Sequence, residues 1–120
     1  MKLVELQRLE PEDFRAALAP FADVEPRKAV RLDDKEFIYL TTVLQAQGQW
    51  PAADVNLFVH AGSYRAVLFM AVQRNGATEH VKVTMDADVV DRNTFKYASD
   101  NPGSRRTLVQ RAITLAGLNL

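Results

Sequence analysis

Residues 54–86 read DVNLFVHAGSYRAVLFMAVQRNGATEHVKVTMD, and the two turns inside this stretch decide the fold. Asn75-Gly76 sits between two apolar-rich runs. Both residues tolerate positive φ, so the pair favours a two-residue type I′ turn whose twist matches the flanking strands. With that turn in place Arg74 faces Ala77, and the register runs on through Val72 with Glu79, Met70 with Val81, Leu68 with Val83 and Ala66 with Met85. The opposite face pairs Gln73 with Thr78, Ala71 with His80, Phe69 with Lys82 and Val67 with Thr84. A second turn at Gly62-Ser63 sets Ala61 against Tyr64, Val59 against Ala66, Leu57 against Leu68 and Val55 against Met70. Both turns put the aliphatic residues on one face, and a slip of a single residue would invert every side chain. The stretch is therefore read as a three-stranded antiparallel meander.

Working outward, Lys2 to Leu9 alternates and predicts a strand that could add to an edge of the meander. Pro11 suits the first position of a helix, and Glu12 and Asp13 suit its positive end. Phe14, Ala17 and Leu18 supply a short apolar stripe, and Pro20 limits this helix to about 11–19. Phe21 to Arg27 reads as loop, and Lys28 to Leu32 as a short strand or the lead-in to the next element. Asp33 with Glu36 resembles a capping box, while Phe37, Leu40, Val43 and Leu44 recur at helical spacing before Gly48. These signals predict a second helix over about 34–47. Val89-Val90 and Phe95 to Tyr97 suit either a fourth strand or an ordered loop. Asn101-Pro102-Gly103-Ser104 forms a cap cluster, and Leu108, Val109, Ala112, Leu115 and Ala116 predict a final helix over about 104–116.

The expected fold class is α+β: an antiparallel meander at 54–86, with one or two further strands, packed against two to three helices in a single domain spanning 1–120. Strands lie about 4.8 Å apart, so three or four make a sheet roughly 10–20 Å wide. Helices pack about 8–10 Å apart, and one face seats about two of them. A third helix must cross to the Phe58/Phe69 face, or that face stays partly open.

Composition narrows the chemistry. A chain of 120 residues with 48% hydrophobic and 25% charged residues is ordinary globular material. Zero net charge gives no global attraction to nucleic acid or an anionic membrane. The absence of cysteine removes disulfides, thiolate nucleophiles and cysteine-bound zinc. The N-terminus lacks a signal-peptide pattern, because Glu5, Gln7 and Arg8 interrupt it. No run approaches the roughly 20 apolar residues that span a bilayer. A cytoplasmic location is the expectation.

His60 and His80 share the less apolar face, but their register positions are six residues apart along the central strand, roughly 20 Å. A shared metal is not expected. Asp86, Asp88 and Asp91 lack the spacing of a calcium loop. Ser63, Ser99 and Ser104 lie in turn contexts without a nucleophile elbow. No catalytic residue, metal or cofactor is assigned, and an enzyme is the less favoured class. It would need a pocket between the helices and the sheet edge, with His60 or His80 as base.

Two surfaces remain. The first centres on Phe58, Val67, Phe69 and Ala71, rimmed by Asn56, His60, Arg65, His80, Lys82 and Thr84, an apolar centre with a polar rim that suits protein docking. It supports a small non-catalytic interaction module, of inhibitor, immunity or adaptor type, that suits a bacterial or phage-like chain. The partner is expected to be another protein, with a homodimer through a sheet edge or face as a further option. The second surface is Arg105, Arg106 and Arg111 on the last helix, an alternative binder of anions or nucleic acid.

Overall fold

The computed structural model describes residues 4–25, 27–40, 52–60, 62, 65–74, 76–86, 93–94, 98 and 101–118, the side chains of 52–54, 74 and 102 excepted. Six strands form one antiparallel sheet in the order β1-β6-β5-β4-β3-β2. They are β1 (Val4–Leu9), β2 (Ala29–Leu32), β3 (Lys35–Leu40), β4 (Ala52–His60), β5 (Arg65–Arg74) and β6 (Ala77–Asp86). Two helices accompany them, α1 (Pro11–Leu18), continued by a 3-10 turn at Ala19–Phe21, and α2 (Pro102–Leu115).

The β5–β6 ladder runs from Arg65↔Asp86 to Arg74↔Ala77 without interruption, as the Asn75-Gly76 turn requires. Gly76 has φ 78°, in the left-handed region that favours glycine. The β4–β5 ladder keeps the expected pairs Leu57↔Leu68 and Val59↔Ala66, then shifts register between Ala53 and Asn56. The expected Val55–Met70 pair falls at that shift, but Val55 still packs on the same face as Leu57, Val59 and Met70. The expected edge strand is β1, which pairs with β6 from Val4↔Met85 to Leu9↔His80.

The helix expected at 34–47 is overturned over Lys35–Leu40, which is strand β3; residues 41–47 lie outside the described residues. Asp33 and Asp34 take φ 53° and 63°, so they form a two-residue hairpin turn and not a helix cap. Arg31 Nη2 donates to the Asp34 carbonyl at 3.0 Å and holds this turn. In β3, Phe37 and Tyr39 face one side of the sheet while Ile38 and Leu40 face the other. A strand buried on both faces is apolar throughout, and that mimics helical spacing. The expectations for Val89-Val90 and Phe95 to Tyr97 also lie outside the described residues.

Each face of the sheet has its own core. Under α2, Leu57, Leu68, Met70, Val81, Val83 and Met85 pack against Leu108, Val109, Ala112 and Ile113. Asn101 caps this helix, its Oδ1 accepting from the Gly103 amide at 2.8 Å. At the other end the Leu118 amide donates to Ile113 O at 2.9 Å and the Gly117 amide to Thr114 O at 3.2 Å. This is the paired bonding of a Schellman stop, with Gly117 at φ 73° and Leu118 returned to the core. On the opposite face Phe14 of α1 and Phe21 of the 3-10 turn cover Phe58 and Phe69. One helix does cross to the Phe58/Phe69 face, and it is too short to cover it all.

Candidate cleft on the concave sheet face

Covering half a face leaves the other half as a cleft of about 810 Å³. Its floor is Arg65 and Val67 of β5 with Lys82 and Thr84 of β6; Val4 to Gln7 of β1 form one side. The far wall is Asp33, Lys35 and Phe37, at the tip of the β2–β3 hairpin. In the sheet order β5 and β4 lie between β6 and β3. Even so, Lys82 Nζ reaches Asp33 Oδ2 at 2.8 Å. The sheet therefore curls, bringing the hairpin tip over β6, as strand twist and a bulge in β4 promote.

The charges in the cleft are mixed. Lys82 pairs with Asp33 and also lies over the Phe69 ring, 5.6 Å from its centroid. Arg65 Nε meets Asp86 Oδ1 at 3.0 Å across the β5–β6 ladder. Glu5, Gln7, Lys35 and Thr84 add a carboxylate, an amide, an ammonium and a hydroxyl. Exposed ion pairs contribute about 0–1 kcal/mol each. Such pairs orient the walls of a cleft more than they stabilise the fold, and incoming charged or polar groups can exchange with them.

The residues expected to form a docking patch are split by this arrangement. Phe58 is fully buried, and Val67 and Phe69 are 2% exposed. The expected apolar centre is thus interior, sealed by this chain's own α1 and 3-10 turn, because Phe14 stands edge-on to Phe69 with ring centroids 6.4 Å apart. Val67 also borders the cleft floor, and Arg65 and Lys82 line it. His60 is half-buried against the edge of Phe37, 5.5 Å between centroids, and His80 lies 4.8 Å from Phe14. Neither histidine lines the cleft. Among the described residues no group of three or more His, Asp or Glu is placed to hold a metal ion.

The arginines of α2 also separate. Arg105 is buried at 9% exposure, and its Nη1 donates to the Ala98 carbonyl at 2.9 Å. It ties the segment before α2 to the helix, and its head is turned away from any external anion. Arg106 is half-buried and Arg111 exposed. No helix among the described residues is long and apolar enough to cross a membrane.

Thr84, expected on the rim, does line the cleft, whereas Asp33, Lys35, Glu5 and Gln7 were not anticipated as site residues. Glu5 and Gln7 were within reach, since the alternation of β1 puts both on one face. Asp33 and Lys35 were hidden by the helical reading of the hairpin. On the covered side, Tyr39 Oη donates to Asn56 Oδ1 at 2.9 Å, and burial pushes the Tyr39 hydroxyl above its ordinary 10.0. A shallower hollow of about 310 Å³ lies beside this pair, bounded by Phe14, Leu18 and Phe21. Compared with known proteins, the chain matches no family model, no curated protein and no solved structure.

Proposed function

We propose that this chain is a small protein-binding module, of inhibitor, immunity or adaptor type, that receives part of a partner protein in the cleft of its curled sheet. The observation that carries this is the unequal cover of the Phe58/Phe69 face: α1 seals one half, and the other half stays concave, open and lined with both signs of charge. A largely polar lining of mixed charge favours a polar protein segment over a polyanion, which would meet Glu5 and Asp33. The alternative, an anion or nucleic-acid binder built on α2, has less support because Arg105 is spent on Ala98. A small enzyme using His60 or His80 has less support because both rings lie away from the cleft.

The test fills the cleft. Thr84 is half-buried on its floor, and Thr84→Arg places a long cation there. The unaltered protein, Thr84→Arg, and Gln110→Arg on the exposed side of α2 are each used to capture partners from a native lysate, read by mass spectrometry. The protein retained by the unaltered chain is expected to be lost by Thr84→Arg and kept by Gln110→Arg. Folding stability of both variants should stay within about 0.5 kcal/mol of the unaltered chain. Equal capture by all three would overturn the assignment to the cleft.

A further inference from the structure

The two edges of the sheet are built differently. β2 is four residues long, and just before it the Arg27 amide donates to Tyr39 O while the Tyr39 amide donates to Lys28 O. Two residues thus oppose one, with Arg27 in the left-handed region at φ 71°. Shortness, a bulge and nearby cations are how native sheets discourage a further strand. β1 pairs with β6 through six consecutive residues with no register shift and no proline. Among the described residues no strand pairs with its outer side. On β5 and β6 the cleft touches residues of one face only, whereas on β1 it touches Val4, Glu5, Leu6 and Gln7 in succession. Side chains alternate along a strand, so contact with four in a row means that the open space reaches the backbone at the strand's margin.

We propose that β1 pairs antiparallel with β1 of a second copy of this chain about a two-fold axis, joining two six-stranded sheets into one. A two-fold perpendicular to the sheet keeps each face on its own side, so facing residues share parity and the axis passes midway between one residue and its own copy. An axis at Glu5 sets two carboxylates opposite each other, which is repulsive. An axis at Gln7 faces Leu6 with Arg8 and Glu5 with Leu9. The axis at Leu6 sets Leu6 against itself, Val4 against the stem of Arg8, and Glu5 against Gln7. Val4 and Leu6 already pack against the core under α2, so this register extends that core across the axis. On the other face the Gln7 amide of the second copy donates to Glu5, adding a residue to the cleft wall. A foreign strand would have to bring these matches with it; the chain's own β1 contains them. This pairing stands apart from whatever protein the cleft receives.

The full chain has no cysteine, so introduced thiols report position without background. Sedimentation of the unaltered protein over rising concentration is expected to show twice the monomer mass. Under mild oxidation Leu6→Cys should form a covalent dimer several-fold faster than Arg8→Cys. A disulfide needs its β-carbons within about 4.5 Å, and only a residue on the axis meets itself. Because Leu6 is half-buried, a second measurement uses the exposed positions Glu5 and Gln7. An equal mixture of Glu5→Cys and Gln7→Cys should yield mostly the mixed disulfide. A monomer at every concentration, even one that captures a foreign protein, overturns the pairing. So do equal oxidation rates at positions 6 and 8, or homodisulfides predominating in the mixture.

Discussion

On one face of the sheet, Leu57, Leu68, Met70, Val81, Val83 and Met85 lie under a fourteen-residue helix; on the other, Phe37, Tyr39, Phe58 and Phe69 lie partly under an eight-residue helix and a 3-10 turn. The aliphatic face is closed by many modest contacts, since α2 presents Leu108, Val109, Ala112 and Ile113 at helical spacing. The aromatic face has far less helix to work with, because Phe14 is the single buried residue of α1. Its buried area comes from the rings themselves, each of which covers about 150–250 Å² and gains further from edge-on contact. Phe14 with Phe69, Phe21 with Phe58 and Phe58 with Phe69 all meet in this way. A thin cover made of large side chains can seal half a face and leave the other half open. The aliphatic face secures the fold, while the aromatic face both contributes to the fold and leaves room for a site.

The comparison breaks first at Phe69. Phe69→Asp puts a carboxylate beneath α1, and a buried, poorly paired charge is expected to cost more than about 4 kcal/mol. Lys82 lies over the ring but is already held by Asp33, so it softens that penalty without cancelling it. Thr84→Arg, on the open half of the same face, should cost no more than about 0.5 kcal/mol. Urea unfolding of the two variants side by side measures the division directly. Tolerance of Phe69→Asp would show that α1 does not seal the ring, and the distinction between closed and open halves would go with it.

How far this division was legible in the residues depends on the range of each signal. The β4–β6 register was legible because Asn75-Gly76 and Gly62-Ser63 are local turn signals flanked by apolar residues of consistent parity. β1, α1 and α2 were legible through alternation, Pro11 and the Asn101 to Ser104 cap cluster. β3 was not, because Phe37, Ile38, Tyr39 and Leu40 are apolar on both faces and leave no period of two. Asp33 and Glu36 also imitate a helix start. Of the cleft, Arg65, Val67, Lys82 and Thr84 were named from their register positions. That Phe58 and Phe69 would be covered was not readable, since it depends on Phe14 folding back across the sheet. The far wall needed the curl that brings Asp33 to Lys82, a contact between segments distant in the chain.

A smaller effect tests the closed half from inside. Tyr39 is buried beside Phe21 and Phe58 and donates to Asn56. Tyr39→Phe removes that hydrogen bond and should cost about 1 kcal/mol near neutral pH. The pH dependence has a definite sign. Burial raises the native pKa of Tyr39 above 10.0, so the native state holds this proton more tightly than the unfolded state does. The resulting stability is present in full below pH 10.0 and is lost as pH climbs through the native pKa. Thermal melts from neutral to alkaline pH should therefore decline less steeply for Tyr39→Phe. Because the other tyrosines are unchanged, parallel declines would mean that the Tyr39 hydroxyl is solvated and that the aromatic half is looser than the burial implies.

The smallest effect sharpens the open half. Asp33 and Asp34 both occupy the left-handed region, where a side chain costs an L-residue about 1–2 kcal/mol, less for aspartate with its local hydrogen bonding. Type I′ turns prefer glycine at the second position. Asp34→Gly should relieve strain there, partly offset by the greater freedom of glycine in the unfolded chain, for a net gain of a few tenths to about 1 kcal/mol. Asp33→Gly relieves similar strain but also removes the carboxylate that Lys82 holds at 2.8 Å. The Asp33 side chain is 62% exposed, so its ion pair contributes less than about 1 kcal/mol, and the two changes should nearly cancel. Melting temperatures of the two glycine variants thus separate turn strain from the Asp33–Lys82 contact. A loss at Asp33→Gly well beyond a surface pair's worth would mean that this contact holds the hairpin over β6, and that the cleft wall is secured by charge where the closed half is secured by packed rings.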